Sequence, residues 1–127
     1  MTKKILIAED DPVGQLVLEK FLKDERVRIS CVDNGEDAVT LHELHGFDLI
    51  FMDIRMPRMD GLSAIKRIRK LNDEKARVPI ICVTAYAMDG DDKKFLKAGA
   101  DAYIAKPFNK EQITAAIATY LASAQTA

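Results

Sequence analysis

The sequence predicts an α/β protein, a doubly wound five-stranded parallel sheet with five helices. Two observations carry this. Five short apolar runs recur along the 127 residues, each long enough for one buried strand. Between them lie stretches with helical periodicity, opened by cap residues and joined by short connections. Strands alternating with helices imply a parallel sheet covered on both faces, with right-handed crossovers.

The first run, Lys4 to Ala8, reads as a short buried strand ended by Glu9-Asp10-Asp11. Asp11-Pro12 opens a helix, an N-cap acceptor followed by proline where its missing N–H does no harm. Val13, Leu16, Val17, Lys20 and Phe21 follow at helical spacing, with Leu18 and Leu22 widening the stripe. Val27 to Val32 is β-rich and alternating, as expected of a strand near an edge. Asn34-Gly35 marks a turn, and Glu36 to Leu44 reads as a helix closed by Gly46. His42 and His45 near its end are expected to be solvated, at a terminus that favours cations.

Asp48 to Asp53 is the third strand, and it runs into a loop marked by Pro57 and Gly61. Ser63 to Leu71 reads as a helix with Ala64, Ile65, Ile68 and Leu71 inward and the basic residues Lys66, Arg67, Arg69 and Lys70 mostly outward. Pro79 to Thr84 is the most apolar strand, so it belongs inside the sheet. Asp89 to Ala98 is a polar helix ending at Gly99, and Ala102 to Ala105 is a short strand ended by Lys106-Pro107. Asn109 and Gln112 have the form of a capping box. The last helix carries Ile113, Ala116, Ile117, Tyr120 and Leu121 on one stripe, and Ala122 to Ala127 is expected to fray. The reading is one domain over residues 1–127, without repeats or linkers.

Composition narrows the function. With 48% hydrophobic and 31% charged residues, the chain reads as soluble and globular. A formal net charge of -1 gives no general attraction to nucleic acid or anionic membrane. The N-terminal apolar run is too short for a signal peptide and no stretch approaches transmembrane length, so a cytoplasmic protein is expected. Cys31 and Cys82 lie in apolar segments and read as buried structural thiols.

In a parallel sheet all strands end on one edge, where ligands bind. The first strand ends in Glu9-Asp10, the third in Asp53, the fourth in Thr84 and the fifth in Lys106. Taken singly, each is accounted for as a cap, a turn or a surface charge. Together they form a set. Carboxylates at close range repel one another, and a hard divalent cation such as magnesium resolves the repulsion. An ammonium and a hydroxyl beside one carboxylate suit a phosphoryl group, with Asp53 as nucleophile and an aspartyl phosphate as product.

The same residues carry a resemblance. ILIAEDD, DLIFMDIRMPRMDG, ICVTAYAM and AYIAKPF, in this order and spacing, resemble the receiver domains of bacterial two-component response regulators, including receivers attached to hybrid histidine kinases. The resemblance covers essentially the whole chain and implies a flavodoxin-like sheet of strand order 2-1-3-4-5. It implies that Asp53 accepts phosphate from a sensor histidine kinase or a histidine phosphotransfer protein. The implied metal ligands, for Mg2+ or alternatively Mn2+, are Asp10, Asp53, Glu9 through water and the backbone carbonyl of Arg55. Thr84 corresponds to the switch hydroxyl, Lys106 to the phosphate-binding ammonium and Tyr103 to the aromatic switch. Ala85 leaves room for the phosphoryl group, and Pro107 follows the lysine, often in cis.

The implied output is altered binding to a partner through the fourth and fifth helix face, with no direct nucleic-acid contact and no membrane insertion. Arg55 and Tyr86 are neither acids nor amides that orient water, so a phosphorylated form that is not especially short-lived is expected. The alternatives are a phosphate-independent adaptor and a magnesium-dependent aspartate-nucleophile phosphatase. The latter needs a second acid where Arg55 stands. A flavoprotein of similar topology lacks support, because Glu9-Asp10-Asp11-Pro12 replaces its phosphate loop.

Overall fold

All five apolar runs form strands: β1 (Lys3–Ala8), β2 (Val27–Val32), β3 (Leu49–Asp53), β4 (Ile80–Thr84) and β5 (Ala102–Ala105). The computed structural model describes residues 2–23, 25–85 and 91–125. The strands pair in parallel in the order β2-β1-β3-β4-β5, as the resemblance implies. β3 and β4 are buried along their whole length, whereas β2 lies on an edge and is only partly covered.

The helices are α1 (Pro12–Leu22), α2 (Gly35–His45), α3 (Gly61–Arg69), α4 (Asp91–Ala98) and α5 (Lys110–Gln125). Their starts are set by side chains that accept backbone N–H groups left without helical partners. Asp11 accepts from Val13 at 3.1 Å, Asn34 from Asp37 at 2.7 Å and Asp60 from Ser63 at 2.8 Å. Asn109 and Gln112 form the expected capping box, each accepting the other's N–H at 2.9 Å. Because Asp60 rather than a later residue is the cap, α3 starts at Gly61, two residues before the sequence reading. α5 continues to Gln125 instead of fraying from Ala122. Of the expected fourth helix, Asp89 and Gly90 lie outside the described residues.

The two-residue period of the strands divides the core. Ile5, Ile7, Leu49, Phe51, Ile81 and Val83 pack under α1 and α5 against Leu18, Leu22, Ile113 and Ile117. Leu6, Ala8, Ile50, Met52, Ile80 and Cys82 pack under α2, α3 and α4 against Val39, Ile65, Ile68 and Phe95. The same period puts Asp53, the last residue of β3, and Glu9, one residue past β1, on the α1/α5 side and Thr84, the last residue of β4, on the other.

Two sequence expectations fail at the opposite edge, where the strands begin. His42 is fully buried, not solvated. Its Nδ1 accepts the Phe47 N–H at 3.1 Å, so Nε2 carries the proton and donates to the Lys75 carbonyl at 2.9 Å. Arg69 points inward and donates to the carbonyls of Ala76, Val78 and Gly99 at 2.6–2.8 Å and to Asp101 at 3.0 Å. A 3-10 turn, Glu74–Arg77, capped by Asp73 and absent from the sequence reading, supplies carbonyls to both. Cys31 is only half-buried and donates to Glu19 at 3.0 Å, while Cys82 is buried as expected. Burial, helped by Glu19 at Cys31 and by Asp53 at Cys82, pushes both thiols up to about 12.

Candidate functional site

At the edge where the strands end, β1 and β3 bring three acids together. Carboxylate oxygens of Glu9, Asp10 and Asp53 all lie within 4.8 Å of one another. Glu9 and Asp53 are buried, and Asp10 stands exposed at the rim. The chain fixes Glu9 from several sides. Its N–H donates to the Val32 carbonyl at 3.0 Å, and its carbonyl accepts from Gln15 Nε2 at 2.6 Å. Its carboxylate receives Lys106 Nζ at 2.5 Å on Oε1 and the Asp11 N–H at 3.3 Å on Oε2.

Lys106 arrives from the far side of the sheet. Its N–H donates to the Thr84 carbonyl at 2.8 Å, which extends the β4–β5 ladder. Its ammonium lies 3.4 Å from Asp53 Oδ2, so it is shared between two acids and favours Glu9. The Lys106-Pro107 bond is cis, as the resemblance implies.

The charges respond to this crowding. The Glu9 carboxyl is raised from its ordinary value, first by burial and then by Asp53, with Lys106 opposing. Asp10 is raised too, by partial desolvation first and by Glu9 next. For Lys106, burial pulls downward, but its contacts with Glu9 and Asp53 outweigh it, and the net shift is upward. One ammonium among three acids leaves net negative charge in a tight space. An all-oxygen donor set of this kind fits a hard divalent cation.

The loop after Asp53 is held by close backbone approaches. The Gly61 N–H donates to the Ile54 carbonyl at 2.8 Å, and a Cβ on Gly61 would overlap the Asp53 carbonyl. The Gly35 N–H donates to Met59 at 2.9 Å, where a Cβ would overlap that carbonyl. Between these two anchors Arg58 adopts φ 63°, a left-handed conformation uncommon for a side chain of its size.

Each sequence-predicted residue but Tyr86 can now be placed. Asp53, Glu9, Asp10 and Lys106 form one cluster. Thr84 is fully buried at the end of β4, and its neighbour Val83 pairs with Asp53. Ala85 follows it and is exposed. Arg55 lies two residues past Asp53 in the exposed loop. Tyr103 stands apart from the cluster. It is 40% exposed and packs edge-on against Phe95 of α4, with ring centroids 5.9 Å apart. Tyr86 lies outside the described residues. Sequence reasoning missed Gln15 and Gly14, which both touch Glu9. The available signal was a glycine inside a helix where nothing called for a turn.

A family model described as the response regulator receiver domain matches residues 5–118. The polar-differentiation response regulator DivK of Brucella anthropi is 33% identical, over 98% of this chain and 100% of its own length. The probable histidine kinase 6 of Oryza sativa subsp. japonica is 35% identical over 91% of this chain and 14% of its own length. The chain spans only 7–14% of the histidine kinases it matches. Among solved structures, the receiver domain of sensor histidine kinase PA1611 from Pseudomonas aeruginosa superposes with a TM-score of 0.88. It is 38% identical and covers 96% of this chain and 99% of that one, and its active site cleft coordinates a magnesium ion.

Proposed function

The chain belongs to the response regulator receiver domain family, and from that premise we propose that it is a signalling switch activated by phosphorylation of Asp53. The donor is the phosphohistidine of a sensor histidine kinase or a histidine phosphotransfer protein. The observation that carries this reading is the convergence of Asp53, Glu9, Asp10 and Lys106 from three separate strands on one sheet edge.

Each residue has a separate task. A carboxylate oxygen of Asp53 attacks phosphorus, the P–N bond breaks, and its electron pair leaves on the imidazole nitrogen. Asp10 and Asp53, Glu9 through water and the Arg55 backbone carbonyl would hold magnesium, or manganese in its place. Bound there, the ion supplies neutralising charge for the transferring group. Lys106 is already 3.4 Å from Asp53, so it donates to the phosphoryl group with little movement. The Thr84 hydroxyl serves as a further donor, and the exposed Ala85 leaves the approach open.

Output follows from a shift between pre-existing states. Recruiting Thr84 toward the phosphate makes room for the Tyr103 ring, which leaves its exposed position against Phe95 and alters the face formed by α4, β5 and α5. An output partner reads that face. The domain catalyses its own phosphorylation and slow dephosphorylation and has no other enzymatic activity. It works in the cytoplasm without contacting nucleic acid. No helix among the described residues is long and apolar enough to cross a membrane. The intact set of acids, threonine and lysine disfavours a phosphate-independent adaptor, and Arg55 in place of a second acid disfavours a phosphatase.

The test is incubation with magnesium and acetyl phosphate, read by intact mass. One phosphoryl adduct on the wild type and none on Asp53→Asn is expected. An adduct on both proteins, or on neither, overturns the reading.

A further inference from the structure

Gly14 is the third residue of α1, and a glycine inside a helix costs stability relative to alanine. It is not among the positive-φ glycines, so backbone freedom does not explain it. Its surroundings do. A Cβ there would lie 2.7 Å from Glu9 Oε1, 2.9 Å from Cδ and 3.1 Å from Cγ. Glu9 is 2% exposed, and its backbone and carboxylate are already engaged. Gln15 and Val32 hold its backbone, while Lys106 and the Asp11 N–H hold its two carboxylate oxygens.

Gly14 also differs in kind from Gly35 and Gly61. At those positions an added Cβ meets backbone, so the fold itself must give. At Gly14 the three nearest atoms all belong to one side chain, that of Glu9. An alanine there presses first on the Glu9 side chain rather than on backbone.

We propose that Gly14 is a positioning residue for the phosphoacceptor site, the gap in α1 that seats the Glu9 carboxylate between Lys106 and the Asp11 N–H. This rests on the reading of Glu9, Asp10 and Asp53 as a cation site. Filling the gap displaces one acid from that site. It also releases Lys106 from Glu9 toward Asp53, where the ammonium competes with a cation for the same carboxylate. Both effects weaken cation binding.

The experiment is calorimetric titration with magnesium alone, on wild type and Gly14→Ala, each with Glu9 intact and with Glu9→Asp. With Glu9 intact, Gly14→Ala is expected to weaken magnesium binding about tenfold, the scale of lost support around a metal ligand. Its melting temperature should equal or exceed that of the wild type. In the Glu9→Asp background the 2.7 and 2.9 Å contacts at Oε1 and Cδ are gone and only the 3.1 Å contact at Cγ remains, so the penalty should fall well below that seen with Glu9 intact, a coupling a general structural role does not produce. Equal affinities for wild type and Gly14→Ala, or the same penalty in both backgrounds, overturn the inference alone. Absence of magnesium binding by the wild type overturns the underlying reading and the inference with it.

Discussion

At the edge of the sheet where the strands begin, the inward-pointing polar side chains of Arg69 and His42 meet partners of complementary character. At the edge where they end, like charges are packed together around one shared ammonium. Arg69 and His42 represent the first edge. The guanidinium meets three carbonyls and one carboxylate, and both imidazole nitrogens are occupied. Glu9, Asp10 and Asp53 represent the second, with one ammonium among them. Both edges are built from the same strands and helices. The difference teaches that one end of the sheet secures the fold and the other holds unfavourable charge ready for a ligand.

The largest expected effect falls on the first edge. Arg69→Ala should lower stability by about 3 kcal/mol, because it orphans carbonyls and leaves Asp101 facing the Ile80 N–H alone. Chemical denaturation measures this, and a loss near zero would erase the contrast between the edges.

His42 comes next. Its pKa is lowered, first by burial and also by the Lys75 charge, with the hydrogen bond to the Lys75 carbonyl, and more weakly the Asp73 charge, opposing. The unfolded chain therefore binds a proton more readily than the native one. Stability is complete above 6.5 and declines as pH falls from there toward the lowered native value. His42→Gln should be about 1–2 kcal/mol less stable at pH 8 and should flatten this decline. An unchanged slope would place the proton uptake elsewhere.

On the second edge the sign reverses. In metal-free buffer Asp53→Asn should raise stability by about 1 kcal/mol, because one of three crowded acids is neutralised. A fall in melting temperature would show that Lys106 already balances the cluster. The smallest effect concerns Arg58. Its φ of 63° costs a non-glycine residue, and its ion pairs with Asp33 and Asp37 are exposed and long, at 3.7 and 3.6 Å. Arg58→Gly should gain about 0.5 kcal/mol net of glycine's entropy. A clear loss would show that this charged clasp contributes more than its geometry suggests.

The two edges were not equally legible in the sequence. Apolar runs mark the strands because burial on both faces demands them, and a parallel sheet then places every strand end on one side. That logic alone gathered Glu9, Asp10, Asp53, Thr84 and Lys106, and the three acids and the lysine form one cluster. The opposite edge resisted because its partners are backbone carbonyls, which carry no sequence signature. Arg69 sits in a basic run that reads as solvated, yet its acceptors come from residues 76, 78 and 99. His42 breaks the ordinary expectation for a helix end, because Phe47 packs against its ring and the 3-10 turn supplies a carbonyl to it. Gly14 stands out in sequence only as an unexplained helical glycine, because the neighbour that explains it, the Glu9 side chain, lies outside its helix.

The Glu9–Lys106 bond joins residues 97 positions apart. Closing so long a loop has an entropic cost that no segment of the chain can meet alone. A chain whose fifth strand has not docked carries the acids of the site without the ammonium that orders them. Competence to receive a signal is thereby tied to completion of the fold, and cleavage between these residues that lets the ends separate disconnects the site.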